Sequence, residues 1–137
     1  MDKMSKEIKK LTLTDLIKNK EKYQVKADET EELFIKRLGA SITIRKPERS
    51  LCLESFSMVN DENQEEQAKA DPFVVYNIVT EPNLKDQQLQ KEFGCVEPTD
   101  IVEKIFESGE IAGIAKAGFE MAGYSEGIDR VKDLKNS

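Results

Sequence analysis

At 137 residues, with 38% hydrophobic and 35% charged side chains, the chain has the size and balance of one modest globular domain with a single core. It has no histidine, which removes the commonest general base and the commonest metal ligand, and its net charge is −6. No apolar run approaches the roughly 20 residues that span a bilayer, so no membrane contact is expected.

Residues 1–10 read as a flexible, Lys-rich lead-in, with no apolar stretch behind the charges to make a secretory signal. Residues 11–137 read as a single domain. Thr12 or Thr14 is placed to cap a helix running to about Tyr23, with Leu13, Leu16 and Ile17 turned inward. A polar connector from Lys26 to Thr30 leads into two alternating segments, Glu32 to Leu38 and Ser41 to Arg45, separated by Gly39-Ala40. They predict a β-hairpin built on Phe34, Ile42 and Ile44. A lone hairpin is marginal in water, so one face must lie on the helices or pair with another chain.

Pro47 suits the first turn of a helix carrying Leu51, Leu53, Phe56, Met58 and Val59, with a further strand as the alternative. Residues 60–70 lack large apolar side chains and read as a polar loop. Asp71-Pro72 then launches a buried helix through Phe73, Val74, Tyr76, Asn77, Ile78 and Val79. After a turn at Pro82, Lys85 to Phe93 form a helix carrying Leu89 and Phe93, stopped by Gly94.

Pro98-Thr99-Asp100 starts the next helix, with Asp100 and Glu103 at the spacing of a reciprocal cap and Ile101, Val102, Ile105 and Phe106 on one face. Ser108-Gly109-Glu110 breaks it and opens another that runs to Gly123. A last helix covers about Ser125 to Lys135, with Ile128, Val131 and Leu134 at helical spacing. The expected fold is mainly α with a small β-hairpin, an α+β compact single-domain helical bundle of five or six helices.

The same sequence argues against most chemistry. Cys52 and Cys95 are lone cysteines without motif spacing or a histidine partner, and they read as reduced thiols of an intracellular protein. There is no Gly-x-Ser-x-Gly turn and no Gly-rich phosphate loop. The acidic run from Asp61 to Glu66 lacks the order of a calcium loop. No catalytic, cofactor-binding or metal residues are therefore assigned.

Charge is uneven. Residues 1–60 carry 13 Lys or Arg against 10 Asp or Glu, and residues 61–137 carry 8 against 17. The acidic half argues against a nucleic-acid surface. The stretch from Lys3 to Lys26 holds Lys without Arg and only Tyr23 for stacking, which suits a solvated helix better than base reading.

One feature resists a purely structural account. Gly109, Gly113 and Ala117 recur every four residues within a helix, and glycine there costs about 0.5–1 kcal/mol relative to alanine. Close approach of another backbone would offset that cost. The neighbour is either internal, such as the helix at Asp71 or at Ser125, or a partner's helix lying in a groove. In the second case Ile111, Ile114, Phe119 and Met121 line or flank the groove, and a flexible Met helps such a surface accept varied sequences.

The order and spacing of several segments resemble the XkdN-like tail assembly chaperones of contractile-tailed phages. They are Leu11-Thr-Leu-Thr-Asp-Leu-Ile, Asp71-Pro-Phe-Val-Val-Tyr-Asn-Ile-Val, Glu81-Pro-Asn-Leu-Lys-Asp-Gln-Gln-Leu and Val102-Glu-Lys-Ile-Phe-Glu-Ser-Gly-Glu-Ile. The small-residue helix ending at Gly123-Tyr124 and the Leu-Lys-Asn tail follow, so the resemblance spans roughly Leu11 to Asn136. It implies a non-catalytic chaperone, encoded by a phage, prophage or phage-tail-like particle, that binds the tape measure protein and keeps it soluble while the tail tube grows. The tail tube protein is the second partner it implies, and the hairpin edge offers a route to self-association. The chaperone would act in the cytoplasm of the bacterial host and be absent from the mature particle. Two competing expectations are a structural component retained in the tail and a generic protein-binding adaptor or inhibitor.

Overall fold

The structure, a computed structural model, describes residues 7–125 and 127–136. Its contacts divide the chain into two units, residues 27–125 and the two ends of the chain.

The larger unit begins with a hairpin of β1 (Thr30–Ile35) and β2 (Ala40–Arg45), paired antiparallel with Leu33 opposite Ile42 and Ile35 opposite Ala40. Strand alternation sends Ile35, Ile42 and Ile44 into the core and turns Glu32 and Phe34 to the other face. A third strand extends the predicted hairpin: β3 (Val79–Glu81) pairs with β2, so the order is β1-β2-β3. Val79, expected to end a helix, instead opposes Ile44, and its buried side chain completes the sheet's inner face.

Between β2 and β3 lie α3 (Arg49–Val59), α4 (Gln64–Ala68) and α5 (Ala70–Ile78). The helical alternative thus holds after Pro47, but Leu51, Cys52 and Ser55 form the buried stripe, while Leu53 and Val59 face outward. Within the polar stretch 60–70, Asn63 caps α4 by accepting the Glu65 N–H at 2.8 Å. Val74, Val75 and Ile78 of α5 are fully buried. Their β-branching opposes helix formation by a few tenths of a kcal/mol each, whereas burial contributes about 1.5–3 kcal/mol per side chain. Packing decides the outcome, and α5 lies against α3, β3 and the helices that follow.

Those are α6 (Gln87–Glu92), α7 (Asp100–Ile105) and α8 (Ser108–Met121). Asp86 caps α6 by accepting the Leu89 N–H at 2.9 Å. The reciprocal Asp100–Glu103 cap does not form. Asp100 lies one residue inside α7, and its carboxylate instead accepts the N–H groups of Val96 and Glu97 at 3.0 and 2.9 Å, tying down the incoming loop. The α7 face of Ile101, Val102 and Phe106 is buried as its spacing predicts. Glu110 accepts the Glu107 N–H at 2.8 Å at the start of α8, and Gly123, with φ +91, ends it.

The smaller unit holds α1 (Leu13–Lys18), α2 (Lys20–Tyr23) and α9 (Val131–Lys135). Thr12 and Asp15 cap α1 reciprocally, at 3.1 and 3.2 Å. The helix breaks at Asn19 instead of running unbroken to Tyr23. Leu13, Leu16 and Ile17 do not turn inward; Leu13 is 73% and Ile17 70% exposed. At six residues α1 is too short to hold itself by helix propensity, so its cap carries much of the local order. Residues 1–6 of the expected lead-in, and Glu126 of the expected last helix, lie outside the described residues. Among the described residues there are nine helical segments, more than five or six, because polar stretches fold into single turns.

Candidate functional site around the small-residue helix

Helix α8 presents different surfaces to different neighbours. Its buried stripe is Ile111, Ile114, Ala115 and Gly118, the i, i+3, i+4, i+7 pattern of a core-facing helix. Gly118 is where another element comes closest: a Cβ added there would lie 2.6 Å from Cδ1 of the fully buried Ile78 on α5. The Asp71 helix is therefore the internal neighbour, but it meets Gly118, a residue off the four-residue repeat. Gly109 and Gly113 face open space. Ala117 and Met121 are half-buried against the core cluster.

The seven residues singled out in the sequence therefore do not form one groove. Gly113 and Ile114 line a groove of about 440 Å³ whose other wall is the end of β1 and the turn after it, from Leu33 to Arg37. Its end is closed by Arg37, which forks onto Glu110 with Nε at 3.0 Å and Nη2 at 3.0 Å and donates from Nη2 to the Ile105 carbonyl at 2.7 Å. Hydrogen bonding from Arg37 and from the Glu107 N–H holds the Glu110 carboxyl below the usual range. Ile111 falls in a separate hollow of about 440 Å³, beside Phe106, Glu103 and Pro72.

Phe119 belongs to a third surface. Its ring stacks on Phe56 of α3 with centroids 5.3 Å apart, and Tyr124 meets both edge-on at 5.1 and 5.9 Å. Tyr124 returns to the helix because the turn at Gly123 lets its N–H donate to the Phe119 carbonyl at 2.9 Å. The trio bounds a groove of about 400 Å³ with Ala112, Lys116 and Asp71. Burial pushes the Asp71 carboxyl up, so a charged residue stands in a partly dehydrated wall. Tyr124 stays exposed and Phe56 and Phe119 half-exposed.

Sequence reasoning found Phe119 but not Phe56, Tyr124 or Asp71 as its companions. The available signal was the Gly123 turn four residues after Phe119, which folds an aromatic back onto the helix end. This surface suits non-covalent docking: aromatic faces bury large areas and lose few rotamers. Among the described residues no group of three or more Cys, Asp or Glu is placed to hold a metal ion, and no helix is long and apolar enough to cross a membrane.

A search of curated proteins finds no match, and a search of solved structures finds none either. Residues 13–135 match the family described as phage XkdN-like tail assembly chaperone protein, TAC. That span takes in every element described above, including all of α8 and its three surfaces, and the chain belongs to this family of phage tail assembly chaperones.

Proposed function

We propose that this chain binds the tape measure protein of a contractile tail and keeps it soluble until the tail tube covers it. The supporting observation is the aromatic trio Phe56, Phe119 and Tyr124, which keeps a part-open apolar groove at the solvent boundary. A tape measure chain is long and helical, and its apolar stripes would self-associate before the tube encloses them. An amphipathic helix laid in the aromatic groove would hide one such stripe, with Asp71 facing a cation on its rim. The net charge of −6 keeps a complex of many copies in solution. Individually weak contacts, multiplied along the tape, let polymerising tube protein displace them.

The work is done by binding alone, without a chemical step. It takes place in the cytoplasm of the bacterial host, and the chaperone leaves before the particle is finished. Co-expression with a tape measure protein tests this: the tape measure stays in the soluble fraction with the chain and precipitates without it. A tape measure equally insoluble in both cases, or a stoichiometric amount of the chain in purified particles, would overturn the reading.

A further inference from the structure

The outer edge of β1 is unpaired among the described residues, since the sheet runs β1-β2-β3. Edges of this kind are usually blunted by proline, a bulge or an inward-pointing charge. Here the strand and the start of its turn read Glu31-Glu32-Leu33-Phe34-Ile35-Lys36-Arg37, two acids, three apolar residues and two bases. Phe34 is 65% exposed at the centre.

That pattern is complementary to its own reverse. Laid antiparallel on a second copy about a two-fold axis at Phe34, Leu33 meets Ile35 and Phe34 meets Phe34 within the strands, and Glu32 of one copy comes beside Lys36 at the start of the other's turn. Each unlike pair occurs twice by symmetry. Within the strands the faces agree as well, because Leu33 and Ile35 are both odd-numbered and Phe34 meets itself, so opposed side chains lie on the same side of the sheet.

The backbone is compatible with this register. The Lys46 N–H donates to the Glu29 carbonyl in the ladder beside β2. By antiparallel alternation Glu31, Leu33 and Ile35 then turn their backbone groups towards β2, and Thr30, Glu32 and Phe34 turn theirs outward. A two-fold at Phe34 pairs outward-facing groups with each other. On the inner side of the edge lies the groove between β1 and α8, where Gly113 offers no side chain and a Cβ would meet nothing within 4 Å. The second copy's Leu33 enters there.

We propose that the free edge of β1 is a self-association surface, joining two copies of this chain into a continuous six-stranded antiparallel sheet. The proposal does not depend on which polypeptide the chaperone holds.

Light scattering and sedimentation of the full chain test it. The wild-type chain sediments as a dimer whose association weakens with added salt. Glu32→Lys places Lys against Lys and Lys36→Glu places Glu against Glu, so each variant self-associates at least tenfold more weakly while its circular dichroism is unchanged. An equimolar mixture of the two recovers the dimer mass. As an independent check, Phe34→Cys on a Cys95→Ser background forms a disulfide-linked dimer on mild oxidation, since opposed strand residues lie at disulfide distance. A wild-type monomer at every attainable concentration overturns the proposal, as does one that binds only a foreign extended peptide. So does a dimer indifferent to both charge variants, or a mixture that stays monomeric.

Discussion

Arg37 in the β1–β2 turn and Glu110 in the first turn of α8 are 73 residues apart in sequence and joined by a forked ion pair. Because Arg37 also donates to the Ile105 carbonyl at the end of α7, one guanidinium ties the hairpin to two helices. Fixed geometry and a backbone acceptor distinguish it from an isolated surface pair, which is worth little.

Replacing Arg37 with Met keeps the apolar stem and removes the fork. Thermal melts of R37M should show Tm lowered by several degrees. The pH dependence follows from the depressed Glu110 carboxyl. Its stabilisation is fully present above the ordinary value of 4.5 and is lost as pH falls through its lower folded value. Glu48, lowered by Arg45, acts in the same direction, while Asp71, raised by burial, acts in the opposite one, its ionisation costing stability as pH rises. Glu110→Gln should therefore flatten, without abolishing, the acid limb of a plot of Tm against pH.

Gly118 and Ile78 form a packing pair that a double-mutant cycle can isolate. Gly118→Ala should cost about 1–3 kcal/mol, since its new methyl forces Ile78 from its place in the core. Ile78→Val should cost about 0.5–1.5 kcal/mol by leaving a small void. Together they should cost clearly less than the two costs added, because valine lacks the Cδ1 atom that clashes. Chemical denaturation of the four proteins measures the coupling, and strict additivity would show that the two sites do not meet.

Gly109 and Gly113 should respond in the opposite way. With open space at each, alanine removes backbone freedom from the unfolded chain and meets nothing in the fold. Gly113→Ala, in mid-helix, should stabilise by about 0.5–1 kcal/mol in denaturant titrations, and Gly109→Ala, nearer the helix start, by less.

These contrasts show what was legible in the sequence and what was not. Helix α8 followed from its opening at Ser108-Gly109-Glu110 and its stop at Gly123, but Ile111 and Ile114, read as lining or flanking a partner's groove, are buried in the chain's own core. Which glycine meets a neighbour did not follow. Spacing by fours selects a stripe, but the approach of α5 is set by tertiary packing and falls on Gly118. Strand β3 escaped because three residues are too few for a period, and Val79 satisfies a helix pattern as well as a strand pattern. In α1 the apolar spacing was read correctly, yet spacing cannot say whether anything covers Leu13 and Ile17. The aromatic trio draws on α3, α8 and the turn after Gly123, and the Phe56–Phe119 contact joins residues far apart in the chain.

Tyr124 separates binding from folding. As an exposed ring at the end of α8, its loss in Tyr124→Ala removes edge-on contacts worth about 0.5–1.5 kcal/mol. Melting should change by only a few degrees, whereas capture of the tape measure in co-expression should fall severalfold. Phe119→Ala should lower both, because Phe119 also packs against the core. If Y124A captures the tape measure as well as the unmodified chain, the aromatic groove is not the docking surface.

Cys52 is 1% exposed on the inner stripe of α3, with its thiol pushed up by burial, whereas Cys95 is half-exposed. An alkylating reagent attacks thiolates and needs access, so it distinguishes the two. Cys95 is modified promptly, and Cys52 only during excursions that lift α3 away from α5. The lag between first and second adduct in a mass spectrum thus times spontaneous opening, giving a clock for how firmly the fold holds together.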